Sequence, residues 1–306
     1  MGDGITREWR PSYPVSLGGT LGSLSRGGGD PSYQRDSERN LWRTMRTPEG
    51  IATQRLSVLD GVVLSQAWGP GATWATDRLP TMLGAEDDVS TFDASLHPLV
   101  AEQWRRFGAG LRCPSVGVVL EVLVAAVIEQ RVTGIEARRS WRWLLMTYGE
   151  AAPGRAPASM RVFPSPETIA GIPTWEWHRA GVERTRSDTV MRAVSYAGRL
   201  EECIDLPVEG ARRRMQAISG IGVWTSAEVA SRSLGDADAV SFGDFHVAHN
   251  VVYALTGEVD GTDERLAEVL APWPGHRGRV VRLLELSGIS RPARGPRYSP
   301  LDHRGR

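Results

Sequence analysis

The run Ile218-Ser219-Gly220-Ile221-Gly222 limits what this chain can fold into more than any other stretch. It separates two segments that read as helices. Gly220 and Gly222 permit backbone torsions closed to other residues, while Ile221 between them can plug a core. The spacing predicts a helix, a four-residue turn, a second helix, and then a loop that carries Asp244 to the start of a third helix. Such a turn leaves N–H groups bare at the positive end of a helix. That makes an anion site, and a backbone phosphate is its least demanding occupant. Gly220, Ile221, Gly222 and Thr225 are the residues expected to form it.

The pattern IxGIGxWT, with Asp244 standing 22 residues after Gly222, resembles the helix-hairpin-helix, Gly/Pro-rich, Asp (HhH-GPD) superfamily of DNA base-excision glycosylases. Trp224 directly before Thr225 is similar to the alkylbase branch, the 3-methyladenine DNA glycosylase II type. The resemblance is tight over residues 209–250 and looser from about 45 to 290. It implies a mainly α fold with a small α+β N-terminal domain, the helix-hairpin-helix DNA glycosylase fold. It also implies double-stranded DNA with a damaged base as the partner, and an alkylated purine as the expected lesion.

Composition narrows the chemistry. The 306 residues, 41% apolar and 24% charged, are ordinary for a soluble chain. The most hydrophobic segment, 116–128, is too short for a membrane span and reads as a buried helix. The first residues lack the order of a signal peptide, and the expected location is the cytoplasm, at the nucleoid. Two cysteines, Cys113 and Cys203, are too few for the four-Cys iron–sulfur cluster that some members of the superfamily carry. All 36 basic residues are Arg. Glycosylases that also nick the strand attack through an amine, in those branches a Lys directly before the hairpin Thr, where this chain has Trp224. The expectation is a monofunctional enzyme with water as the nucleophile, acting as a monomer. The net charge is +0, so any DNA surface must be local. Arg212, Arg213 and Arg214 lead into the hairpin, and residues 276–306 hold eight Arg.

Taken in order, residues 1–45 form a Gly/Ser/Pro-rich segment, either flexible or an edge element of the next domain. Residues 46–97 read as a small α+β domain, with a hairpin of strands 54–60 and 62–68 around Asp60-Gly61 and a short helix over 75–83. Residues 98–290 read as the helical domain, with the helix-hairpin-helix at 209–234, and 291–306 as a basic tail. Within the helical domain Ser115 can cap a helix to Gln130, a second spans 135–148, a proline-rich loop fills 151–174, and 185–204 reads as one long helix. Helices over 262–270 and 275–286 close it.

Cleaving an N-glycosidic bond passes through a cation-like sugar, which calls for a carboxylate at the anomeric carbon. Asp244 is the candidate; an Asp entering a helix also reads as an N-cap, and its distance from the hairpin is what favours the catalytic reading. By the resemblance, Trp224 and Glu228 line the base pocket, with Glu228 standing where the alkylbase type has a second aromatic; its carboxylate can take an exocyclic amine or a cationic base. Gln130 and Arg131 fall where the family places the wedge that fills the gap left by an extruded base, and equally read as a polar helix end. His246 and His249 lie one turn apart, too few for zinc. No cofactor is expected beyond a monovalent cation, Na+ or K+, which the resemblance places on the carbonyls of Ile218 and Ile221. The competing reading is a noncatalytic binder of DNA structure, or a glycosylase for an oxidised or bulky base.

Overall fold

A computed structural model of the chain describes residues 4–292. Five strands form one antiparallel sheet: β1 (Ile5–Trp9), β2 (Tyr33–Arg35), β3 (Leu41–Thr47), β4 (Gly50–Leu59) and β5 (Val62–Trp68), in the order β1-β5-β4-β3-β2. The β4–β5 turn puts Asp60 at φ 50 and Gly61 at φ 76, the paired left-handed torsions whose twist suits adjoining strands. Both edge strands come from the glycine-rich N-terminal segment. The expected boundary at 45/46 falls inside β3, so the sheet domain begins at β1. Between β1 and β2 lies α1 (Leu17–Leu21), which sends Leu17 and Leu21 into the main core.

Two short helices, α2 (Ala72–Asp77) and α3 (Leu79–Met82), replace the single helix expected over 75–83. Pro80 in the first turn of α3 explains the break, because its ring excludes a continuing helix. Then come α4 (Pro98–Phe107), α5 (Leu120–Glu129) and α6 (Gly134–Tyr148). Helix α5 starts four residues later than the Ser115 cap predicted. Its first amides, Val119 and Leu120, are instead taken at 2.8 and 2.9 Å by the Glu201 carboxylate from far along the chain. The α6 start is a reciprocal capping box between Thr133 and Glu136. The proline-rich loop contains a two-stranded ladder, β6 (Glu150–Ala151) with β7 (Arg161–Val162), and after it α7 (Pro166–Ala170) and α8 (Thr174–Arg179).

The long helix expected over 185–204 is two, α9 (Arg184–Ser195) and α10 (Ala197–Glu201), broken at Tyr196. The remainder is α11 (Val208–Gln216), α12 (Val223–Ser233), α13 (Val247–Thr256), α14 (Asp263–Leu270) and α15 (Arg277–Ser287). Helix α5 is apolar nearly all round and buries eight side chains, so it forms the axis of the main core, with α6, α9 and α12 packed on it. A second core joins α4, α13, α14 and α15 through Val100, Leu266, Trp273, Val280 and Leu284. Since α12 belongs to the first core and α13 to the second, the loop between them, with Asp244, lies at their seam. Among the described residues no helix is long and apolar enough to cross a membrane.

Candidate active site

Helix α11 buries Ala211 and Met215, and the chain then turns at Gly220, whose φ of 97 and close approach to Thr189 leave no room for a side chain. A Cβ there would lie 2.2 Å from Thr189 Oγ1. Ile221 is buried at 4% exposure, and its N–H donates to Ile218 O at 3.0 Å. Gly222 heads α12 without a side-chain cap, so the first-turn amides of α12 keep their capacity to bind an anion. The turn is held from behind. Gln130 Nε2 donates to Gly220 O at 3.0 Å and to Thr225 Oγ1 at 2.8 Å, and Arg192 Nε donates to Ser219 O at 2.9 Å.

Twenty residues beyond Trp224, the Asp244 carboxylate does two jobs. One oxygen accepts the amides of His246 at 2.7 Å and Val247 at 3.0 Å, which caps α13; the other accepts Trp224 Nε1–H at 3.1 Å. The cap and the site are therefore the same side chain. Gly243 just before it sits at φ 88, a torsion proline cannot hold, and its N–H donates to Asp263 at 2.8 Å.

Glu228, one turn after Trp224, is not a free carboxylate. It pairs with Arg232 at 2.8 Å and accepts a short hydrogen bond from Ser241 Oγ. The expectation that it would itself pair a cationic base is corrected, since its cation is already in place. Arg232 and Ser241 were missed from the sequence, although the four-residue Glu–Arg spacing on a helix was visible there.

No protein-family model matches the chain. Over 137 residues it is 32% identical to the probable bifunctional transcriptional activator/DNA repair enzyme AlkA of Mycobacterium tuberculosis, a match covering 44% of this chain and only 27% of that relative's length. The 3-methyladenine DNA glycosylase of Archaeoglobus fulgidus superposes with a TM-score of 0.77 at 17% identity, over 92% of this chain and 97% of that one. The 8-oxoguanine glycosylase/lyase of Clostridium acetobutylicum, in a complex with double-stranded DNA, gives 0.71 at 12% identity over 94% and 100%. This chain has the helix-hairpin-helix DNA glycosylase fold.

Within that fold the remaining sequence-derived residues take different places. Thr225 is 2% exposed and its hydroxyl accepts from Gln130 Nε2, which leaves its backbone amide as the group it can offer a phosphate. Gln130 braces the hairpin rather than pointing outward. Arg131 is exposed and holds φ 54 between α5 and α6, a torsion that costs a non-glycine residue about 1 kcal/mol. The two wedge candidates are thus separated, and Arg131 alone faces solvent. Ahead of the hairpin, Arg213 and Arg214 are matched by Glu209 and Glu202, which removes much of the expected positive cluster. Of the tail, residues 293–306 lie outside the described residues. Trp177 is core, whereas Trp175 is 67% exposed. Among the described residues no three metal-ligating side chains converge, around His246 and His249 or elsewhere.

Proposed function

We propose that this protein is a monofunctional DNA glycosylase that hydrolyses the N-glycosidic bond of a damaged base flipped out of duplex DNA. The observation that carries the reading is the Asp244 carboxylate, held between the α13 amides and the Trp224 indole at the seam of the two cores. Extruding the nucleotide costs a few kcal/mol, less for a weakly paired damaged base. The bare amides after Gly222 then take a backbone phosphate, and Arg131 enters the vacated stack, where a guanidinium can both stack and hydrogen-bond. As the base departs, positive charge grows on the sugar, and the fixed Asp244 carboxylate stabilises it without reorganising. An alkylated purine departs neutral, because the bond electrons return to its positively charged ring; water then adds to the anomeric carbon, and the proton it loses passes to Asp244 and on to solvent.

The absence of lysine supports a hydrolytic route, since the chain's only amine is its N-terminus, and Trp224 stands where an attacking amine would have to be. The carbonyls of Ile218 and Ile221 are hard oxygen donors that fit Na+ or K+, which would add positive charge beside the phosphate. We expect the protein to act as a monomer in the cytoplasm on nucleoid DNA. Alkylated purines are the lesions implied by the likeness to the alkylbase branch, with Trp224 as the stacking surface. The test is release of free bases from DNA treated with a methylating agent and from DNA with defined lesions. Release that is lost in Asp244→Asn with binding retained supports the enzyme. Binding without release of any base favours the noncatalytic reading.

A further inference from the structure

A chain with no net charge that holds a polyanion must gather positive charge at one place and keep its acids away from it. The arginines before the hairpin do not provide this, since Glu209 and Glu202 answer Arg213 and Arg214. Helix α6 does. Its buried side is Ala137, Ser140, Trp141, Leu144 and Leu145, while Arg138, Arg139 and Arg142 stand three and four residues apart on the opposite, exposed side. Glu136, the one acid of this helix, is closed into the capping box with Thr133. Among the described residues none of the three arginines enters an ion pair, and Arg138 and Arg139 keep their donors free of any hydrogen bond.

The glycine turn at 27–29 lies against this face. A Cβ on Gly27 would fall 2.3 Å from Arg138 Cδ, and Arg142 donates through Nε to Gly29 O at 3.1 Å and through Nη2 to Gly28 O, which fixes its guanidinium. Arg26 ties the turn to Glu129, the last residue of α5, at 2.8 Å. Three glycines in a row add no side chain that would hold a large ligand off the arginines. The stripe is also continuous with the hairpin. Gln130 is bonded to Gly220 O, exposed Arg131 follows it, and Thr133 then opens α6. From Gly134 to Arg142 the helix rises about 12 Å, the axial length of about three to four base pairs. We infer that the exposed face of α6 is a second phosphate track, on which Arg138, Arg139 and Arg142 hold the duplex backbone beyond Arg131 while the hairpin amides hold it at Gly222. This rests on the DNA-binding half of the reading above and adds a surface to it. A guanidinium suits a phosphate because its donors can engage two oxygens at once, and such contacts add affinity and register without choosing a base.

Each phosphate that a protein neutralises releases counterions and steepens the fall of log affinity with log salt by about 0.9, so the track can be counted. The full chain is titrated, over a range of salt, with duplex DNA bearing a central tetrahydrofuran abasic site, which needs no knowledge of the lesion. Arg138→Gln with Arg139→Gln should flatten the slope by about 1.8 and weaken binding about tenfold at about 0.1 M salt. Arg105→Gln with Arg106→Gln removes the same charge from the exposed side of α4 and should leave the slope as it was. An unchanged slope in the α6 variant, or equal flattening in the α4 variant, overturns the inference and leaves the glycosylase reading standing. Flattening as expected, in a protein that releases no base from any lesion, supports the track and removes the catalytic reading alone. A wild-type chain that does not bind the duplex ends both. Should the double variant not fold, Arg139→Gln by itself should flatten the slope by about 0.9, and no change there overturns the assignment.

Discussion

Replacing Asp244 with Asn separates the two jobs of this carboxylate. As a cap, Asn serves α13 about as well as Asp, because its carbonyl oxygen can accept the His246 and Val247 amides. The other end then presents an NH2 to the Trp224 N–H, donor against donor, and one of three hydrogen bonds is lost. That loss is worth about 1 kcal/mol, and the melting temperature should fall by at most about 2–4 °C. The chemistry loses a full negative charge beside the cationic sugar. Comparable fixed groups contribute about 2.7–4 kcal/mol, so base release should drop about 10²–10³-fold. Calorimetry and single-turnover release on the same preparations give the two numbers. Asp244→Ala removes the cap as well and should cost roughly a further 1 kcal/mol of stability with no greater loss of rate. The reasoning is refuted if the Asn variant keeps its rate within threefold, or if the rate of the two variants tracks their stability.

Other perturbations test the surroundings. Trp224→Phe keeps an aromatic ring but removes the indole donor; release should fall about tenfold, near one lost hydrogen bond, with DNA affinity much less affected, as titration would report. Gly220→Ala forces a Cβ onto Thr189 at φ 97 and should destabilise by more than about 1 kcal/mol, whereas Gly222→Ala, in open space at φ −99, should leave the melting temperature nearly unchanged and weaken DNA binding. Arg131→Ala should relieve no packing and slow release at saturating DNA, as a wedge requires. Burial pushes the Glu121 carboxyl up to about 7, against the pull of Arg43. The folded state therefore holds that proton where the unfolded chain has released it, and the group's contribution to stability falls as pH rises from about 4.5 towards 7. The stability of Glu121→Gln relative to the parent should accordingly improve between pH 5 and pH 8 in denaturant titrations, and a flat difference would refute the burial argument.

Local chemistry made much of the fold legible. The hairpin glycines, the Asp60-Gly61 turn and the apolar run of α5 each act within a few residues, so their consequences are written in the local order of the chain. Elements set by partners distant in sequence were not legible in that way. The start of α5 moved because Glu201 supplies its cap from 81 residues away. The edge strands β1 and β2 pair with β5 and β3, so their short runs gain meaning only once the sheet exists. At the site, sequence spacing singled out Trp224 and Asp244. Asp244 does cap α13, and its second oxygen is left to face the indole, so the cap does not compete with the proposed catalytic role.

The sequence by itself determined the hairpin, the acid and the lack of any lysine amine, since each is a matter of residue identity and short spacing. Tertiary structure alone decided that Gln130 braces the turn across 95 residues, that Thr225 faces inward, and that Ser241, from beyond α12, donates to Glu228 beside its helical partner Arg232. A side chain's charge is readable from its letter, but its available charge depends on the counter-charge that folding brings beside it.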